Sequence, residues 1–170
     1  ARTLGFQLVT FTDPGDARSQ VVSTTLGAGA AVDTITLGQP VDPAATMLIA
    51  TAASPNAGGS MGDRTVRVRL VDPTTVEVQR AINTGTVEVN VQVVELLEGT
   101  TVQHGIVDLT PTQTSTTVAV NPVDTKRTTV GSTVLIGGAA SGGSTDEAAS
   151  GEVGEALVTV DLLDAATIVI

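Results

Sequence analysis

The chain has 170 residues and a formal net charge of −10, with 41% hydrophobic but only 1% aromatic residues, Phe6 and Phe11. Seven of its eight basic residues are Arg and no basic run exists to neutralise phosphates, which argues against DNA or RNA as a partner. With no Cys, disulfides and thiolate metal sites are ruled out, and no stretch approaches the roughly 20 apolar residues of a membrane helix.

The core must be built from Val, Ile, Leu and Ala, and the abundance of Val and Thr favours pleated strands over helices. In chain order the spacing predicts strands near residues 2–12, 20–26, 32–38, 45–51, 64–71 and 75–81, joined by turns rich in Gly and Pro. Val66, Val68 and Leu70 alternate with Arg67 and Arg69, the pattern of a half-buried strand. Val71, Asp72, Pro73 and Thr74 then read as a tight turn into a return strand over residues 76–79.

The same order of blocks recurs downstream. Residues 6–11 (FQLVTF) align with 91–96 (VQVVEL) at 91 − 6 = 85, and Pro40-Val41-Asp42 aligns with Pro122-Val123-Asp124 at 122 − 40 = 82. Residues 45–54 (ATMLIATAAS) align with 132–141 (STVLIGGAAS) at 132 − 45 = 87, with six of ten positions identical. Residues 66–78 (VRVRLVDPTTVEV) align with 158–170 (VTVDLLDAATIVI) at 158 − 66 = 92. The growth in offset from 87 to 92 coincides with the Gly/Ser/Ala stretch over 137–151, where added length costs little closure entropy. Four collinear blocks imply an internal duplication, with copy one over 1–82 and copy two over 83–170. The expected fold is therefore all-β: two tandem small antiparallel β-sandwich repeats of jelly-roll or Ig-like type. One larger sandwich with pseudo-two-fold symmetry is the alternative, since about 80 residues with few aromatics give each copy a thin core.

Groups for catalysis are scarce. His104 is the only His, and Asp108 lies four residues on along a strand rather than opposed to it, so a solvated strand-end His is the simpler reading. Asp13 and Asp16, or Asp146 and Glu147, could attract a hard cation, but neither pair has the dense oxygen ligands of a calcium loop. No enzyme activity, metal or cofactor is expected. The missing aromatics also weaken a carbohydrate-binding reading.

What remains is surface for packing. Arg67 and Arg69 correspond to Thr159 and Asp161, so one outward face is basic in copy one and neutral to acidic in copy two. Such faces could meet head to tail between subunits; two solvated faces are the simpler reading. Leu4, Phe6 and Phe11 near one end, and Ile168 and Ile170 at the other, read as apolar sheet edges open to strand addition.

The runs VEVNVQVVELLEGTTVQHGIVDLT, VAVNPVDTKRTTVGSTVLIGG and ALVTVDLLDAATIVI resemble β-repeats of structural proteins from tailed bacteriophage virions and related bacterial surface proteins. The resemblance covers most of both copies but departs from the pattern in lacking aromatics within several strands, and it carries over no catalytic residue. It implies a self-assembling structural protein of a virion, decorating a capsid or associated with a tail, whose partner is itself or a shell protein. The alternative is a subunit of an extracellular bacterial or archaeal filament joined by strand donation.

Overall fold

The computed structural model describes residues 15–55, 61–109, 113, 115–132 and 160–170. Leu4, Phe6, Phe11, Asp13 and the acidic pair Asp146 and Glu147 lie outside these residues. The described chain is all-β, with nine strands in three small antiparallel sheets.

The strands are β1 (Ala17–Leu26), β2 (Val32–Thr36), β3 (Thr46–Ala53), β4 (Arg67–Asp72), β5 (Thr75–Gln79), β6 (Val87–Leu96), β7 (Thr117–Ala119), β8 (Asp161–Asp164) and β9 (Thr167–Val169). A one-turn helix, α1 (Met61–Arg64), interrupts them where the sequence suggested the start of a strand at 64. The first sheet has the order β1-β6-β3, the second β2-β5-β4 and the third β7-β9-β8.

The first two sheets face each other across one core. From the first come Leu26, Val87, Val89, Val91 and Val93; from the second Val68, Val76 and Val78; Leu37, Val41 and Val66 close its margins. The period of two puts them there: in β6 the valines point inward while Glu88, Asn90 and Gln92 point to solvent. Each fully buried Val contributes roughly 1.5–3 kcal/mol by leaving water, which is how a core without aromatics closes.

β6 has a place that the repeat alone does not suggest. Sequence periodicity assigns it to copy two, whose expected start is residue 83. Hydrogen bonding places it between β1 and β3, strands of copy one, in unbroken register from Ala17↔Leu96 to Leu26↔Val87 and from Thr46↔Glu95 to Ala53↔Glu88. The physical reason is the inward row of four valines, which needs two flanking strands and a facing sheet. The first sheet therefore extends to Leu96, past the expected repeat boundary.

The third sheet repeats the second residue by residue. In the β4–β5 hairpin Arg69 pairs with Glu77, Leu70 with Val76 and, after a bulge, Asp72 with Thr75. In the β8–β9 hairpin the pairs are Asp161 with Val169, Leu162 with Ile168 and, after a bulge, Asp164 with Thr167. All are displaced by 161 − 69 = 92, as the sequence blocks are. β7 sits on β9 as β2 sits on β5: Ile35 pairs with Val76, and Val118 with Ile168.

The fold predicts its own minimal unit. A fragment of residues 15–99 should fold cooperatively in urea, whereas residues 15–82, cut at the repeat boundary, should show no cooperative transition by circular dichroism. Within the whole chain, Val91→Ala should cost about 2 kcal/mol, while Glu88→Ala should stay within about 0.5 kcal/mol.

Candidate functional site

Cross-strand neighbours absorb much of the charge on the first unit. Arg69 and Glu77 are register partners, and the guanidinium meets the carboxylate through two bonds, Nε to Oε1 at 2.6 Å and Nη2 to Oε2 at 3.0 Å. Arg67 donates to the side-chain oxygen of Gln79, its own register partner. The basic face expected from Arg67 and Arg69 is thus tied up within its own hairpin. Its counterpart Asp161 is exposed and accepts the Leu162 amide at 2.8 Å. Ile168 and Ile170 are half-buried, Ile168 within β9 and Ile170 bonded through its backbone to Thr116 in both directions at 2.9 Å. The structure brings none of these residues into one constellation.

Two polar features are structural. Arg80 is 1% exposed and continues the inward row of Val76 and Val78. Its Nε reaches the Ala30 carbonyl at 2.9 Å and its Nη2 the Gly27 carbonyl at 2.6 Å, with the buried Asp63 carboxylate 3.9 Å from Nη1. Asp63 in turn accepts the amides of Thr84 and Gly85 and the Thr84 hydroxyl. This pair pins the β1–β2 turn and the loop before β6. The alternation through Val76, Val78 and Arg80 was the available signal for it, since a second step of two from Val76 carries Arg80 inward. Glu95, nearly buried in β6, bonds Arg18 of β1 and accepts the Asp42 amide at 2.7 Å.

The turn chemistry is duplicated with the hairpins. Asp42 accepts the Ala44 amide and its carbonyl accepts the Thr46 hydroxyl. Asp124 does the same for Lys126 and Thr128. The Val41 amide donates to the Pro73 carbonyl, and the Val123 amide to the Ala165 carbonyl. Gln20 of β1 makes a two-bond bridge to the Gln39 backbone, and Gln103 makes the same bridge to the Asn121 backbone.

Gln103 therefore marks residues 100–109 as the second unit's counterpart of β1, at 103 − 20 = 83. Yet this segment forms no strand, and no strand among the described residues pairs with it. Leu26, which ends β1, is 1% exposed, whereas its counterpart Leu109 is 37% exposed and nearby Ile106 is 49% exposed. His104, in the same segment, is exposed and lies 3.0 Å from the Pro43 carbonyl through Nε2. Its ring is thus engaged with backbone, and Asp108 is exposed four residues on. Among the described residues no group of three or more His, Asp or Glu could hold a metal ion. Among them, too, no helix is long and apolar enough to cross a membrane.

The candidate site is thus a surface, the uncovered stretch over 100–109. Sequence reasoning missed it, because residues 100–109 have a strand-like composition and only the absence of a pairing strand among the described residues distinguishes them. No family model, no curated protein and no solved structure matches this chain.

Acid should reveal how the carboxylates support the fold. Burial disfavours the Glu95 charge, but the Arg18 hydrogen bond, the Asp42 amide and the Arg18 charge outweigh it and hold its carboxyl below the ordinary 4.5. The Arg69 hydrogen bond lowers Glu77, and the Thr74 amide lowers Asp72. A carboxyl held low in the fold contributes stability that is present above its unfolded value and lost as pH falls through the folded one. The melting temperature should stay level from neutral pH to about 5 and fall below that. Glu95→Gln should flatten part of the fall; equal losses in both proteins would remove Glu95 from the explanation.

Proposed function

We propose that the chain is a self-assembling structural protein of a virion, a capsid-decorating or tail-associated component that works by packing β faces and strand edges against copies of itself or a shell protein. One observation carries the reading: the third sheet reproduces the second in strand order, register, bulge and turn chemistry. Duplication of a β module extends a surface without adding a reactive centre, and each new copy brings new edges that ask for partners. On this reading the two copies are small sandwiches in tandem. The resemblance of both copies to virion β-repeats sets the setting, and the net charge of −10 keeps the subunits soluble before they assemble.

A second reading, a subunit of an extracellular filament assembled by strand donation, is favoured by the uncovered β1 counterpart over 100–109. Both readings rest on assembly and differ in the partner.

Electron microscopy combined with light scattering on the purified protein tests them together. Ordered particles, sheets or filaments at high concentration, or binding to a capsid or tail preparation, are expected. A compact monomer at every concentration, with no such binding, overturns both readings.

A further inference from the structure

We propose that residues 4–11 of one copy of this chain complete the second unit of another copy, entering beside residues 101–107 as β6 enters beside β1. The inference rests on the self-assembly reading and names its contact.

β1 and β3 pair with β6 and not with each other, so β6 supplies the ladder for both. Without a β6 neither neighbour has a partner in that sheet, and residues 100–109 are in that state: positioned like β1 by the Gln103 bridge, but without a strand. The chain carries two segments of β6 type. One is β6 itself, in the first unit. The other, residues 6–11, precedes that unit, whose β6 position is already filled.

The spare segment has the pattern the open edge requires. At the offset of 85, Leu4, Phe6 and Leu8 fall where β6 has Val89, Val91 and Val93, each at most 1% exposed. Thr3, Gly5 and Gln7 fall on its solvent side. Transferring the β1–β6 register then sets Phe6 against Gly105, because Val91 pairs with Val22 and Gly105 is the counterpart of Val22. A Cβ built on Gly105 meets nothing within 4 Å. A large ring beside a strand glycine covers backbone that the glycine leaves bare and restores lost volume. In sequence, Ala50, the other register partner of Val91, aligns with Gly137, which lies outside the described residues. Charge changes in step as well: the ion pair Arg18–Glu95 becomes Thr101 opposite Thr10, so no buried carboxylate is left without its guanidinium.

The donor's route indicates a second copy. β6 leaves the first unit and runs directly into residues 100–109 of the second. Residues 4–11 lead into β1 by the equally short stretch 12–16, at most about 18 Å when extended. Their acceptor thus stands before the first unit as the first unit stands before the second, a position that the second unit of another copy can take. Repeated, the contact is heterologous and open-ended.

The test compares the full chain, a variant lacking residues 1–12, and the full chain carrying Phe6→Asp, each by light scattering and amide hydrogen exchange. The full chain should form concentration-dependent oligomers, and both variants should be monomeric with β6 amides still protected. A synthetic peptide of residues 2–12 added to the truncated variant should slow exchange over 102–109 by about tenfold or more, and its Phe6→Ala form should bind at least about tenfold more weakly. If the variants assemble as the full chain does, self-assembly stands and strand donation falls. A peptide that leaves 102–109 unprotected also overturns the proposal. So does a monomeric full chain with 102–109 already protected, since the segment then folds back on its own molecule. A full chain that is monomeric with 102–109 unprotected overturns both this proposal and the assembly reading.

Discussion

The first unit depends on a single strand. β6 carries the two ladders that hold β1 and β3, and its inward valines, Val87, Val89, Val91 and Val93, form the middle of the core. Near its end the same strand carries Glu95, which fixes Arg18 and the Asp42 amide and so couples the sheet to the turn before β3. Among the described residues the core holds no aromatic side chain, so its closure rests on the regularity of the valine row. Shifting β6 by one residue would turn all four valines to solvent and Glu88, Asn90 and Gln92 inward. The register is therefore fixed by burial on one face and by Glu95 at the end.

Charge is placed conservatively around this centre. Arg69–Glu77 and Arg18–Glu95 span neighbouring strands, and Arg80 lies against Asp63 under the β1–β2 turn. An exposed pair such as Arg69–Glu77 contributes little on its own, but it neutralises the one cluster of arginine that could have served as a basic docking face. The buried Arg80 has another role, donating to the Ala30 carbonyl and to the Gly27 carbonyl, which also accepts the Ala30 amide, and so bracing the turn. Among the described residues Arg18, Arg69 and Arg80 are thus paired or turned inward.

The repeat was readable in the sequence to the level of individual hydrogen bonds. The aligned blocks 66–78 and 158–170 adopt hairpins with the same bulge, and Asp42 and Asp124 cap the same turn. Alternation located β1 to β5 to within a few residues, because period two with flanking Pro and Gly leaves few other solutions. The partner of β6 was not readable. Self-similarity reports where one copy of the sequence ends and the next begins, but pairing is decided by which sheet has an inward gap. The one-turn helix at Met61–Arg64 and the Arg80–Asp63 contact escaped for a related reason: each is set by the space left between elements rather than by local pattern.

The expected repeat boundary and the pairing of the first sheet therefore differ by one strand. A duplicated chain whose copies each folded alone would present two closed sandwiches and no particular reason to associate. Here the strand that opens copy two closes copy one, so the boundary between copies is crossed by a fully paired ladder instead of a flexible linker. The displacement also fits the absence of a strand over 100–109 while β1, with the same Gln bridge and the same place in the repeat, is a ten-residue strand. The two segments differ less in composition than in neighbours. Whether such a segment is a strand or a loose edge is decided by a strand that its own copy does not contain.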